Sequence, residues 1–325
     1  MKKLCILQEF SKLVVAKLLS TAPAYMHNFI TNFVRIRQIC KEFAGNRVNE
    51  LGNVPRRGVV PKFSDLDVIA LGITAEAFGF DSENYLLYRL HKECKEELPD
   101  LISRRQFNVR RKLTAPLAED IRKKVAAAID GTEDVFCIDS KPVRVCQNSR
   151  AKRCAMGKDN PDAAPDWGYC AAQGIHYYGY KLHAVCGIKG VIHSYDMTAA
   201  NIHDIHYLND IKREYHDATI LGDKGYLSAT VQKNLFEEEN IILEVPYRLN
   251  QKKWRKPTRA YKKFRKRIET VFSQFNDTLM MTRNYAKQTC GLFTRMACKI
   301  AAMTFMQYVN FISHQPLGQI KYSLI

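Results

Sequence analysis

Val135-Phe136-Cys137-Ile138-Asp139-Ser140-Lys141-Pro142 is where the chain changes its grammar. Four apolar residues in a row end on an acid, the pattern of a short buried strand whose end presents a carboxylate. Downstream, residues 177–186 and 191–197 read as two strands joined by Gly187-Ile188-Lys189-Gly190, a glycine-bounded turn of hairpin length. A helix over 202–213, a strand over 219–221, a helix over 228–238 and a strand over 241–245 follow, and helices finish the chain. Three strands in succession, then strands alternating with helices, predict a mixed five-stranded α/β sheet with flanking helices.

Upstream of this stretch the apolar positions recur at helical spacing and strand-like alternation is scarce. Ser64-Asp65-Leu66-Asp67 reads as a helix start, Asp81-Ser82 as a second, and 52–58, with its glycines and proline, as a flexible connection. A boundary near residue 128 divides the chain into an all-helical, basic part, 1–127, and an α/β part, 128–325. The total of 325 residues is enough for two compact units.

Lys and Arg total 50 against 33 Asp and Glu, and the net charge of +17 favours a polyanionic partner. No apolar run approaches the roughly 18 residues of a membrane span. The first twenty residues resemble a secretion signal, but Gln8, Glu9, Lys12 and Lys17 break every apolar run, so an amphipathic helix and a soluble, cytoplasmic protein are expected. Ten cysteines are scattered without a CxxC pair, and Cys146, Cys154, Cys170 and His176 match no usual zinc spacing, so reduced thiols are the expectation.

Two predicted strands run at once into an aspartate, Asp139 after Ile138 and Asp223 after Leu221-Gly222. A rigid sheet holds such a carboxylate in place, which suits a metal ligand. A third acid, Glu269, lies in a segment where Phe264, Ile268, Val271, Phe272, Phe275 and Leu279 mark an amphipathic helix, and it borders the apolar stripe. Three hard oxygen donors suit Mg²⁺ or Mn²⁺, and two such ions serve an in-line phosphoryl displacement. Taken singly, Asp139 and Asp223 read as turn residues and Glu269 as a surface acid paired with Arg265. Together, in a basic chain, they read as catalytic metal ligands.

The segments IDSKP, YYGYKLHAV, VIHSYDMT, NIHDIHYL, LGDKGY, LEVPYR and RKRIETVFSQF resemble the bacterial insertion-sequence transposases, and within them the nine-eighty-two family. The resemblance runs through the whole chain, including DSENYL, RRQFNVRRKL and IKYSLI. It implies an RNase H-like domain whose DDE triad falls on Asp139, Asp223 and Glu269. It also implies a transposase that cuts element ends and joins them to target DNA, acting as a homodimer on DNA. A nuclease without strand transfer and a non-catalytic DNA-binding regulator are the alternatives. Related families carry a Tyr-Arg-Glu-Lys signature on the glutamate helix; Arg265 matches its arginine, whereas positions 262 and 276 are Lys and Asn.

Candidate DNA contacts follow from charge. Residues 252–267 hold ten basic residues in sixteen, with Lys252, Lys253, Arg255 and Lys256 around Trp254, an aromatic able to stack on a base or wedge into a distorted end. Arg104, Arg105, Arg110 and Arg111 crowd a short helix that meets phosphate. Lys181 and His183 alternate along one strand, so they share a sheet face, and both are expected at phosphate near the metals.

Overall fold

The computed structural model describes residues 24–131, 133–247, 256 and 258–324. The helix expected in the first twenty residues lies outside these, as do Lys252, Lys253, Trp254 and Arg255. Among the described residues no helix is long and apolar enough to cross a membrane.

The part before residue 130 consists of helices α1 (Ala24–Ala44), α2 (Asp65–Ala77), α3 (Glu83–Glu93), α4 (Arg104–Leu113) and α5 (Ala115–Asp130). Their starts are written in the sequence. Ser64 Oγ accepts from Asp67 N at 3.1 Å while Asp67 Oδ2 accepts from Ser64 N at 2.7 Å, a reciprocal cap that satisfies two of the free donors at the start of α2. Ser103 and Gln106 repeat the device on α4, and Ser82 caps α3. Every residue of α2 is buried, so it runs through the interior rather than along the surface.

The second part is a sheet of six strands among the described residues: β1 (Val135–Arg144), β2 (Asp166–Cys170), β3 (Ile175–Gly187), β4 (Ile192–Ala199), β5 (Thr219–Leu221) and β6 (Ile242–Glu244). β1 is central, antiparallel to β3 on one side and parallel to β5 on the other, with β6 parallel beyond β5. The free edge of β3 is shared end to end by β4 and β2. The turn between β3 and β4 closes through Gly187 N to Val191 O at 2.9 Å and needs the positive φ of +87° at Gly190. Helices α6 (Leu208–Glu214) and α7 (Ala229–Glu239) connect the later strands, and α8 (Arg259–Asp277) and α9 (Thr289–Ile312) complete the order.

Three expectations are corrected. The sheet has six strands, because Asp166-Trp167-Gly168-Tyr169-Cys170, which lacks an apolar alternation, pairs with β3. β1 runs on to Arg144, so Asp139 lies within the strand instead of after it. The helix expected over 202–213 begins as a 3-10 turn at Asp204–Tyr207 and becomes α-helical only from Leu208.

Alternation along β1 assigns its neighbours to opposite layers. Phe136 and Ile138 join Ile220, Leu243, Tyr207, Ile211, Tyr226 and Leu235 in a core under α6 and α7. Cys137 and Val143 join Leu182, Ala184 and the apolar stripe of α8 in the other core. That second core is continuous with α1, α2, α3, α5 and α9, so the helices before residue 130 and the C-terminal helix close over one face of the sheet together. A buried ionic knot ties them: Glu76 of α2 accepts from Arg295 Nε at 3.0 Å and from Lys299 Nζ at 2.5 Å, both on α9.

Candidate active site

Parallel pairing between β1 and β5 matches Cys137 with Leu221. Asp139 and Asp223 each stand two residues beyond that last pair, Asp223 just past the end of β5, close enough for the Asp223 charge to act on Asp139. They lie at the carboxyl end of β5, beside the strand where pairing changes from parallel to antiparallel. In open α/β sheets ligands bind at such ends.

Asp139 accepts from its neighbour Ser140 N at 2.8 Å and from Arg265 Nη2 at 3.1 Å, and the same guanidinium donates from Nη1 to Ile138 O at 2.6 Å. Arg265 therefore grips backbone and carboxylate of β1 together. Burial raises the Asp139 carboxyl above the ordinary range; Arg265 and the Ser140 amide oppose the shift, and the Asp223 charge adds to it. Asp223 caps the 3-10 turn Lys224–Tyr226, with Oδ1 accepting from Gly225 N at 2.7 Å.

α8, the helix that carries the third acid, is fixed on the sheet by its two-sidedness. Ile268, Val271, Phe272 and Phe275 are buried, which fixes the helix against β1 and leaves Arg265 facing the strand. Glu269 is one turn beyond Arg265 and three residues before Phe272, over whose ring Lys141 Nζ lies at 5.7 Å from the centroid. Its side chain is exposed and has no partner among the described residues. No three His, Cys, Asp or Glu side chains close into a metal-binding group among the described residues. In chemistry the pair Asp139 and Asp223 fits a divalent oxygen-seeking cation: two adjacent carboxylates, one buried against a single guanidinium, gain by sharing a cation.

Three further residues surround the pair: Asp204, which with His203 reads in the sequence as a helix start beside the site with no assigned role, Tyr226, and Tyr261, which reads there as one aromatic of the basic run. Asp204 accepts from Lys181 Nζ at 2.9 Å on Oδ1, and its Oδ2 lies beside Asp223 Oδ1 across Gly225, 3.5 and 2.9 Å from where a Cβ there would stand. Tyr226 is fully buried, its hydroxyl has no hydrogen-bond partner, and burial with the charges of Asp204, Asp139 and Asp223 raises its pKa well above the ordinary phenol value. Tyr261, one turn before Arg265, donates its hydroxyl to Gly222 O and so ties α8 to the strand end that carries Asp223. The motifs around Asp204 and Tyr226 are conspicuous in the sequence, but their meeting is a product of tertiary folding.

The expected DNA contacts separate. Arg104, Arg105 and Lys256 are exposed. Arg110 is instead bound to Phe63 O and Asp65, and Arg111 is buried with Glu83 at 2.7 Å, so these two are corrected to structural links of α4. Lys181 and His183 do share a face, but their β3 neighbours Leu182 and Ala184 are the ones on the Asp139 side, since Ala184 pairs with Asp139. His183 is fully buried, with Nε2 at 2.8 Å from Thr198 Oγ1 and its ring stacked on Tyr207, which corrects its expected phosphate contact to an interior role.

A family model described as a transposase DDE domain matches residues 130–305. No curated protein and no solved structure matches the chain.

Proposed function

The chain belongs to the transposase DDE-domain family, and from that premise we propose that it binds the ends of its own mobile element, hydrolyses a phosphodiester there and joins the freed 3′-OH to target DNA. The observation that supports the reading is the closeness of Asp139 and Asp223, each two residues beyond the last β1–β5 pair, with Arg265 bound to Asp139. A central β1 flanked by antiparallel β3 and parallel β5 supports an RNase H-like sheet, with 128–325 as the catalytic part and 1–127 as the end-binding part. Since two ends must be joined in concert, the working unit is a homodimer on DNA, acting at the nucleoid.

Asp139 and Asp223 would hold the two Mg²⁺ or Mn²⁺ ions of this reading, with Glu269 as the third donor. Bound there, such ions activate the attacking oxygen and stabilise the leaving one. The chain's own residues prepare that site. Arg265 fixes the Asp139 carboxylate against β1, Gly225 N orients Asp223, and Tyr261 ties α8, the helix that carries Glu269 two turns further on, to Gly222 O. Lys256, Arg104, Arg105 and the 252–255 segment would grip phosphates along the bound duplex.

The test replaces one charge at a time. Asp139→Asn, Asp223→Asn and Glu269→Gln keep shape while removing the charge that binds cations, and each is expected to abolish nicking and joining of labelled end duplexes in Mg²⁺ or Mn²⁺. Binding of end DNA persists, because the basic residues are untouched. A double variant is little worse than a single one, as residues acting as a unit are not additive. Full activity of any folded variant removes that residue from the site, and wild-type activity in EDTA removes the metals. Nicking without joined product favours a nuclease.

A further inference from the structure

β2 stands at the sheet edge and spends two large rings on solvent. Trp167 and Tyr169 are 44% and 56% exposed, and as i and i+2 on a strand they project from one face. Gly168 between them faces the other way, where a Cβ would come within 2.7 Å of Ala200, so that side of β2 lies flush against the chain and the aromatic side is left open. Cross-strand partners extend the row: Trp167 packs on Tyr178 at 5.6 Å between centroids, and Tyr169 on His176 at 4.9 Å.

Register also fixes which face this is. Tyr178, Tyr180, Leu182 and Ala184 alternate along β3, and Ala184 pairs with Asp139, so the aromatic row continues the face that carries Asp139. Phe293 of α9 packs on Tyr180 at 5.2 Å, and Tyr180 is buried whereas Tyr178, two residues back on the same face, is half-buried. From Asp139 to Val145, whose amide bonds Tyr178 O, is six residues, about 20 Å at roughly 3.3 Å per residue. That is about six nucleotide steps of ~3.4 Å.

The rim of the row is basic. Residues 144–158 contain five Lys or Arg and no acid. Arg150, Lys152 and Arg153 are exposed on the 3-10 helix Asn148–Arg153, without an ion-pair partner among the described residues. This helix is anchored to the hairpin by Asn148 Nδ2, which donates to His176 O at 2.9 Å.

We propose that the Trp167–Tyr169 row is a stacking platform for unpaired DNA bases, with the 144–158 basic rim holding the phosphates of that strand. The proposal rests on the reading of the chain as a DNA transposase and adds where a strand opened near the cleavage point would go. Five cations over 144–158 outnumber the three acids that follow, Asp159, Asp162 and Asp166, and this net positive charge favours a polyanion over a protein edge. Exposed ring faces select unpaired bases, because a duplex offers only base edges in its grooves. Trp167 and Tyr169 stand two residues or about 6.7 Å apart along the backbone, about two base-stacking steps of a strand.

The chain has two tryptophans, so Trp254→Phe in the full-length protein leaves Trp167 as the single reporter. An oligothymidine of 20 nucleotides should quench Trp167 emission, and a blunt duplex of equal length should change it little. Trp167→Ala and Tyr169→Ala should each weaken oligothymidine binding, read by anisotropy, by about 5- to 100-fold. Duplex binding should stay within about twofold, and Trp167→Phe should keep most single-strand affinity, which separates stacking from misfolding. Unchanged Trp167 emission while anisotropy reports single-strand binding overturns the platform, as does equal weakening toward both DNAs. Quenching that follows protein concentration without DNA overturns it in favour of contact between copies. If neither DNA binds the full-length protein, the transposase reading falls together with the platform.

Discussion

His183 sits at full burial in β3 and is the residue whose proton the fold resists most legibly. Burial pushes its pKa down to about 4, with Asp204 opposing the shift and Lys181 adding to it. Because the folded value lies below the ordinary 6.5, the unfolded chain takes up the proton first, so stability falls as pH drops from about 6.5 toward about 4. Each pK unit is about 1.4 kcal/mol, which makes this limb worth up to roughly 3 kcal/mol. His183→Gln is expected to lower stability at neutral pH through lost packing on Tyr207, yet to flatten this acid limb; urea unfolding at pH 7, 5.5 and 4.5 reads both, and a limb of unchanged slope would show that other groups cause it. The same residue shows what a sequence can say at this scale. Alternation told correctly that Lys181 and His183 share a face, but which face is buried depends on register with β1, and a strand read alone has two equivalent sides. Asp139 and Asp223 were legible because each directly follows an apolar run. His203-Asp204 also read as a helix start beside the site, but the closeness of Asp204 to Asp223 in particular is made by a turn after β4 folding back over Gly225.

α8 has two faces, and both were readable from its periodicity: a buried stripe from Ile268 to Phe275, and a basic surface. Lys262, Lys263, Lys266 and Arg267 are exposed and form no ion pair among the described residues, although four like charges within six positions repel one another on the helix. A helix that carries such repulsion beside Asp139 is suited to phosphate. Replacing the four with Gln should weaken binding of end DNA and flatten the slope of log K against log salt by up to about 0.9 per lost contact, with helicity retained. Fluorescence anisotropy between about 50 and 200 mM salt gives the slope; if it is unchanged, this face meets only water. β2 was missed at the same scale for a physical reason. Its Trp, Gly and Tyr carry no apolar alternation, because its outward side bears the rings and its inward side has room only for Gly168.

Across the whole molecule, the expected boundary near residue 128 falls between α5 and β1, yet apolar contact does not stop there. One core runs from Met26 of α1 through the Asp139 face of the sheet to α9 and Ile320. Local periodicity identifies each helix but carries no information on which distant helix it meets, so the closure of α9 over α2 and α5 was out of reach. What commits that closure to one arrangement is the Glu76 knot. Its carboxylate is 3% exposed and takes Arg295 and Lys299 from α9, with Arg111 of α4 at 3.7 Å. Burial pushes the Lys299 ammonium down and Glu76 opposes that shift, so the acid is what keeps a charged lysine tolerable inside. Glu76→Gln keeps the volume but leaves buried cations uncompensated, a change that costs about 3–5 kcal/mol in comparable buried pairs. The loss should appear in urea unfolding of the full-length chain. Pairing Glu76→Gln with Lys299→Met removes the stranded charge, so the double variant should be more stable than Glu76→Gln alone, a coupling that independent sites would not show. A loss below about 1 kcal/mol for Glu76→Gln would mean that water or a neighbouring group already compensates the cations, and that apolar packing alone holds the N-terminal helices to α9.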